Sequence, residues 1–164
     1  MLFDSDMQRL LPPQMFLLCG LASTAIGLLV PVAGPLGLVV RLVGIPFLVA
    51  GIALAKRSAA LFEQSDTNIK TFDDPDVLVR TGPFRFSRNP MYLGFTLALG
   101  GVALLVGSLS AVIGPVFFWL LADRWYVPFE ERRMTARFGP AYQQYRIMVP
   151  RWVGRPRPMQ SSVS

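Results

Sequence analysis

The sequence predicts an all-α protein: a polytopic membrane bundle of four transmembrane helices, with a cytoplasmic loop and a C-terminal helical extension. Three observations carry that reading. The 164 residues are 52% apolar and only 16% charged, with a mean hydropathy of +0.45. Residues 10–40, 42–55 and 89–122 contain no charged residue, and a crossing needs about 20 apolar residues, so these runs are read as membrane-length. The N-terminal arm, the long loop and the residues after 122 carry fifteen of the sixteen cations, Arg41 being the remainder. Residues 1–164 are read as one membrane domain.

The spans follow in order. A short polar arm with Asp4, Asp6 and Arg9 leads into the first span, about 11–30. Its n-region is not positive and no small-x-small site ends it cleanly, so it reads as an uncleaved span. Pro31 and Gly34-Pro35 mark a turn. The second span, about 36–55, ends at Lys56-Arg57. Pro46 is expected to kink it, and Arg41 to snorkel to the outer headgroups. Residues 56–88 form the long polar loop, a length that is often functional. As one helix, 89–122 would measure about 51 Å against roughly 30 Å of hydrocarbon. Gly107-Ser108-Leu109-Ser110 offers a turn, which splits the run into spans at about 90–106 and 110–127. The fourth helix is expected to bend at Pro128 and run on to Phe138, where Gly139-Pro140 is a stop signal. Residues 128–164 form the tail, with Trp152 read as an interfacial anchor and Gly100-Gly101 as close helix packing. The inferred turns at 31–35 and 107–110 carry no charge. The positive-inside rule therefore puts the loop and both termini in the cytoplasm, and the membrane is read as an inner, cell membrane.

Composition also limits the chemistry. The chain has no histidine, and its single cysteine, Cys19, lies in the first apolar run. The usual general base, pH switch and thiolate metal cluster are therefore missing, and the reading includes neither a metal nor a nucleic-acid partner. Carboxylates, amides, phenols, arginines or a cofactor must carry the function.

Two stretches concentrate those groups. In TGPFRFSRNPMYLG (81–94), Gly82-Pro83 breaks the chain, arginines alternate with Phe84 and Phe86, and Asn89-Pro90 reads as N-cap and first position of a helix. A helix start ringed by arginines is a receptor for an anionic group; the plainer alternative gives the arginines to lipid headgroups. The second stretch is Glu130-Glu131, whose adjacent carboxylates need cations or a cationic ligand group. A zwitterionic amino-acid moiety would satisfy both ends.

GPFRFSRNPMYLG, followed by EERRMTARFGPAYQQYRIMVPRWV, resembles the integral-membrane methyltransferases that act on isoprenylcysteine carboxyl groups and on phospholipid amines. The resemblance covers roughly residues 60–153. It implies S-adenosylmethionine as cofactor, membrane lipids as surroundings and a lipophilic or small-molecule acceptor. By position it implies that Asp76, Val77, Leu78 and Val79 contact the cofactor through backbone, that Phe84 closes on it, and that Asn89, Pro90, Met91, Tyr92 and Glu130 help bind it. Asn89 stands where the family has histidine. Tyr126 stands where prenylcysteine enzymes place a substrate-binding arginine, and Arg124 is the nearest cation. Glu131, with Arg124 and Tyr126, is the candidate set on the acceptor side; Glu131, Glu130 or Asp74 could take a proton from an amine acceptor. Two other functions compatible with the sequence are an NADPH-dependent lipid reductase and a non-catalytic lipid- or partner-binding bundle.

Overall fold

The computed structural model describes residues 11–32, 36–64 and 77–155, and the described residues are helical with no strand. Helix α1 is Pro12–Leu29 and α2 is Leu38–Gln64. A 3-10 turn at Gly82–Arg85 leads into α3, Pro90–Val106. A second 3-10 turn, Leu109–Val112, opens α4, Ile113–Leu121. A π-helical segment, Ala122–Tyr126, then joins α4 to α5, Val127–Met148.

Helices α1 and α2 are long and apolar enough to cross a membrane. Both turn large aliphatic side chains outward, among them Leu17, Leu21, Leu29, Leu38 and Val39. So much contiguous exposed apolar surface is what lipid-facing helices present. Helix α3 is apolar but shorter, at 17 residues.

The second helix does not stop at Lys56-Arg57. It runs unbroken through Pro46 and on to Gln64, so the first nine residues assigned to the loop are helical. Ser58 is buried there, and Phe62 meets Phe84 edge to face at 5.1 Å, so tertiary contact overrides the charge signal. Arg41, expected to reach the headgroups, instead donates from Nε to the Leu105 carbonyl at 2.9 Å, filling one of the unpaired acceptors at the end of α3.

The 107–110 turn forms as expected. Gly107 closes α3 with φ at 78°, a left-handed conformation that suits glycine. The amides of Leu36 and Leu109 donate to the carbonyls of Gly107 and Val32, and Ser110 Oγ donates to the Val30 carbonyl. The two uncharged connections therefore lie side by side at one end of the bundle. Residues 33–35 of the first connection fall outside the described residues.

Helices α2 and α3 pack through missing side chains. Gly44, Gly51 and Ala55 face Gly94, Ala98 and Gly101, all buried. A Cβ on Gly94 would lie 2.6 Å from the Gly51 carbonyl oxygen. Small residues at such spacing let backbones approach where lipid supplies no hydrophobic drive.

Past the apolar stretch, two sequence expectations are modified. The irregularity assigned to Pro128 lies just before it, in the π segment, where Val127 N–H reaches back to the Ala122 carbonyl. A wider turn there accommodates the proline, which has no N–H to continue the ladder. Gly139 does leave helical geometry, at φ 49° and ψ −122°, but helix resumes directly after it. Pro140 suits the first turn of the renewed helix, and Tyr142, Tyr145 and Val149 bury against Leu78, Met134 and Phe138. That apolar face keeps the last turns folded against the 78–84 segment.

Candidate functional site

The site forms where the start of α3, the first turn of α5 and the 150–154 segment converge. The last of these folds back along the helix start. Arg88 N–H donates to the Pro150 carbonyl at 3.0 Å, and Gly154 N–H to the Phe86 carbonyl at 3.2 Å. Asn89, expected to cap α3 with its side chain, makes no such cap. Its Nδ2 donates to the Arg151 carbonyl at 3.0 Å, joined there by Ser87 Oγ at 3.2 Å, and its own N–H donates to Ser87 Oγ. The amide side chain is used to hold the returning chain, because that contact closes a buried corner which the helix end alone would leave open.

Glu131 is buried and lies between two guanidinium groups. Arg88 Nη2 is 3.2 Å from Oε1, and Arg151 reaches both oxygens, at 2.8 Å and 3.3 Å. Arg151 continues to Asp123 at 3.3 Å, and Trp152 Nε1 donates to the same Asp123 oxygen at 2.9 Å. The hydrogen bond to Glu131, foremost, pushes the Arg151 pKa up against the opposing effect of burial. Buried carboxylates persist when paired and hydrogen-bonded in this way. Trp152, read as a membrane anchor, is thus a hydrogen-bond donor within the network.

Glu130, one residue earlier on α5, has different surroundings. It is half-buried, and Tyr92 Oη donates to its Oε1 at 2.7 Å. Tyr92 in turn stacks on Tyr126, with ring centroids 5.8 Å apart, and both rings are buried. The structure therefore gathers Tyr92, Tyr126 and Glu130 into one cluster. Asn89 and Glu131 belong to the adjacent arginine network. Arg124 meets that network only at its exposed edge: its side chain is 80% exposed and lies 3.6 Å from Asp123.

The remaining sequence-predicted residues line the other flank. Phe84 is buried, and its carbonyl accepts from Tyr145 Oη at 2.8 Å. Val79 is buried, Leu78 packs against Tyr142 and Tyr145, and Val77 is exposed. Pro90 is buried and Met91 half-buried at the helix start. Asp76 and Asp74 lie outside the described residues. Burial first, then the negative Glu131, pushes the Tyr142 phenol up to about 12, with Arg88 and Arg146 opposing. Burial and the neighbouring Tyr142 likewise push Tyr145 up.

Comparison with known proteins supplies the family. The model of the phospholipid methyltransferase family matches residues 39–141. The chain belongs to that family. Its relatives include a probable protein-S-isoprenylcysteine O-methyltransferase of Oryza sativa subsp. indica, 28% identical over 65% of this chain and 56% of the relative. The protein-S-isoprenylcysteine O-methyltransferase of Saccharomyces cerevisiae is 38% identical over 49% of this chain and 34% of its own. Methanethiol S-methyltransferase 2 of Bradyrhizobium diazoefficiens is 37% identical over 44% and 27% respectively. The chain thus spans about half the length, or less, of the curated relatives it matches. No solved structure matches it.

Within the family's matched region, the sequence reading missed Asp123, and beyond that region it missed Arg151. They are 28 residues apart in the chain, and only the folding back of 150–154 brings them together. A signal was nonetheless present: Asp123 is the first charge after an uncharged run of 34 residues, a position where an unpaired carboxylate would be costly.

Proposed function

We propose that this chain is an integral-membrane methyltransferase that uses S-adenosylmethionine and transfers a methyl group to a lipophilic or small acceptor carrying a carboxylate, amine or thiol. Family membership supports the reaction class, and the Glu130 cluster is the observation that ties it to this molecule. A half-buried carboxylate held by a phenol, whose ring stacks on a second tyrosine, is suited to a cationic group. The cofactor carries both an ammonium and a sulfonium, so the residues present fit it.

Glu130, Tyr92, Asn89, Pro90, Met91 and Phe84 would hold the cofactor, and the family resemblance adds the backbone of Asp76, Val77, Leu78 and Val79. When bound, it supplies a methyl group already activated by positive sulfur. The protein's own contribution is then positional. Tyr92 fixes the Glu130 carboxylate in one orientation, and the stacked Tyr126 restricts the Tyr92 ring. The buried ring of Phe84 and the packed 78–84 segment exclude water from that flank. Glu131, paired with Arg88 and Arg151, fixes the α3–α5 corner on the acceptor side. Acceptors enter from the bilayer side, between four spans whose loop and termini face the cytoplasm.

Titration calorimetry with S-adenosylhomocysteine tests the reading. The wild-type chain should bind, and Glu130→Gln should weaken binding about tenfold or more, the equivalent of 1.4 kcal/mol or more. Unchanged affinity in Glu130→Gln, or no binding by folded wild type, overturns it. Incubation of membrane lipid extract with a methyl-labelled donor, followed by mass spectrometry, identifies the acceptor.

A further inference from the structure

Arg151 is tied at both ends. Its guanidinium spends all three nitrogens: Nη2 and Nε lie 2.8 Å and 3.3 Å from the two Glu131 oxygens, and Nη1 lies 3.3 Å from Asp123 Oδ1. Its carbonyl accepts from Asn89 Nδ2 at 3.0 Å and from Ser87 Oγ at 3.2 Å. One residue therefore joins three elements, the start of α3, the π segment and the first turn of α5. Ser87, Asn89 and Glu131 are all buried, so water competes little for these contacts.

Two of those elements carry the Glu130 cluster. Tyr92 is three residues past Asn89 on α3, and Glu130 immediately precedes Glu131 on α5. The 2.7 Å bond from Tyr92 Oη to Glu130 Oε1 crosses from one helix to the other. Its geometry depends on how α3 and α5 stand at this corner, and Arg151 is bonded to both sides of it. A planar guanidinium in two-point contact with a carboxylate fixes direction as well as distance, which a single ammonium does not. The 150–154 segment has no helix or strand of its own. Two backbone bonds lay it along the helix start, from Arg88 N–H to the Pro150 carbonyl and from Gly154 N–H to the Phe86 carbonyl. A segment with few backbone bonds opens locally at less cost than a packed helix.

We propose that Arg151 is a positioning residue for the methyl donor: through Glu131 and Asn89 it holds Glu130 and Tyr92 in register, so that closure of the 150–154 segment and donor binding are linked. The proposal rests on the reading of the Glu130 cluster as the donor's site. Linkage is reciprocal, so the factor by which closure raises donor affinity is the factor by which bound donor resists opening of the segment. An ion pair that only stabilises the fold has no such consequence.

The test uses the full chain in a neutral detergent, with S-adenosylhomocysteine as the probe. Arg151→Gln should weaken its binding about tenfold, measured at a temperature where the variant is shown to be folded. Arg151→Lys keeps the charge and loses the fork, so it should recover thermal stability more fully than affinity. Hydrogen exchange on the wild type supplies a reading that a purely structural role would not move, and it needs no variant. At saturating S-adenosylhomocysteine the Gly154 and Arg88 amides should exchange about tenfold more slowly. The Leu109 amide, bonded to the Val32 carbonyl at the other end of the bundle, should keep its rate. Binding by Arg151→Gln within twofold of wild type overturns the positioning role, as does an affinity in Arg151→Lys that follows stability in step. Unchanged exchange at Gly154, or equal slowing at Gly154 and Leu109, overturns it as well. Each of those results leaves wild-type binding, and with it the donor-site reading, standing. Absence of binding by folded wild type overturns the donor-site reading and this proposal with it.

Discussion

Between α2 and α3 the backbones touch because side chains are absent, with Gly44, Gly51, Gly94 and Gly101 meeting carbonyls and amides of the opposite helix. At the polar rim the opposite holds: Arg88, Glu131, Arg151, Asp123 and Trp152 span the gap with long side chains and charge. In the first region, affinity comes from close van der Waals contact, and the interface tolerates almost no added volume. In the second, each buried charge is expensive alone and is tolerated because an opposite charge lies against it. The difference teaches where this molecule can vary. The helix pair is sensitive to size and indifferent to pH, and the rim is sensitive to charge.

The largest effect should come from breaking the rim. Glu131→Gln leaves buried Arg88 without its carboxylate and Arg151 with Asp123 alone, and the expected loss is about 3–5 kcal/mol of stability. Thermal or denaturant unfolding in detergent measures it; a loss below about 1 kcal/mol would show that the network is not holding the corner.

Alkaline pH should separate the regions next. The Tyr142 phenol is raised from 10.0 to about 12, so the folded state disfavours its ionised form. Its contribution is fully present below pH 10, the unfolded value, and is lost as pH rises through about 12. The loss amounts to roughly 3 kcal/mol for a shift of this size. Tyr142→Phe should flatten the stability curve over that window, and an unchanged curve would refute the burial account.

Two neighbouring glycines sharpen the other side of the comparison. A Cβ on Gly101 would lie 2.5 Å from Leu48 N and 2.7 Å from the Gly44 carbonyl, so Gly101→Ala should cost about 1–3 kcal/mol. A Cβ on Gly100 meets nothing within 4 Å, so Gly100→Ala should stabilise α3 by about 0.5–1 kcal/mol. Opposite signs at adjacent positions would confirm that α2 packs against one face only. Equal effects would mean the glycines act through helix propensity.

The sequence by itself determined the helical class, the apolar stretches and the turn at 107–110, because each of these is set by local composition. A run without charge has few alternatives to an apolar helix, and Gly107 supplies the left-handed residue that the turn needs. Family membership was legible for the same reason, since the 82–94 and 130–153 motifs are contiguous. Tertiary structure alone decided how far α2 extends, that Asn89 holds the Arg151 carbonyl and does not cap α3, and that helix resumes beyond Gly139. It also decided that Glu131 sits between two arginines. Glu130 and Glu131 are equivalent in composition, and about 100° of helical rotation sends one to a phenol and the other to two arginines. That choice depends on Arg88 and Arg151, which are 63 residues apart in the chain and meet at Glu131 because the 150–154 segment folds back on the start of α3.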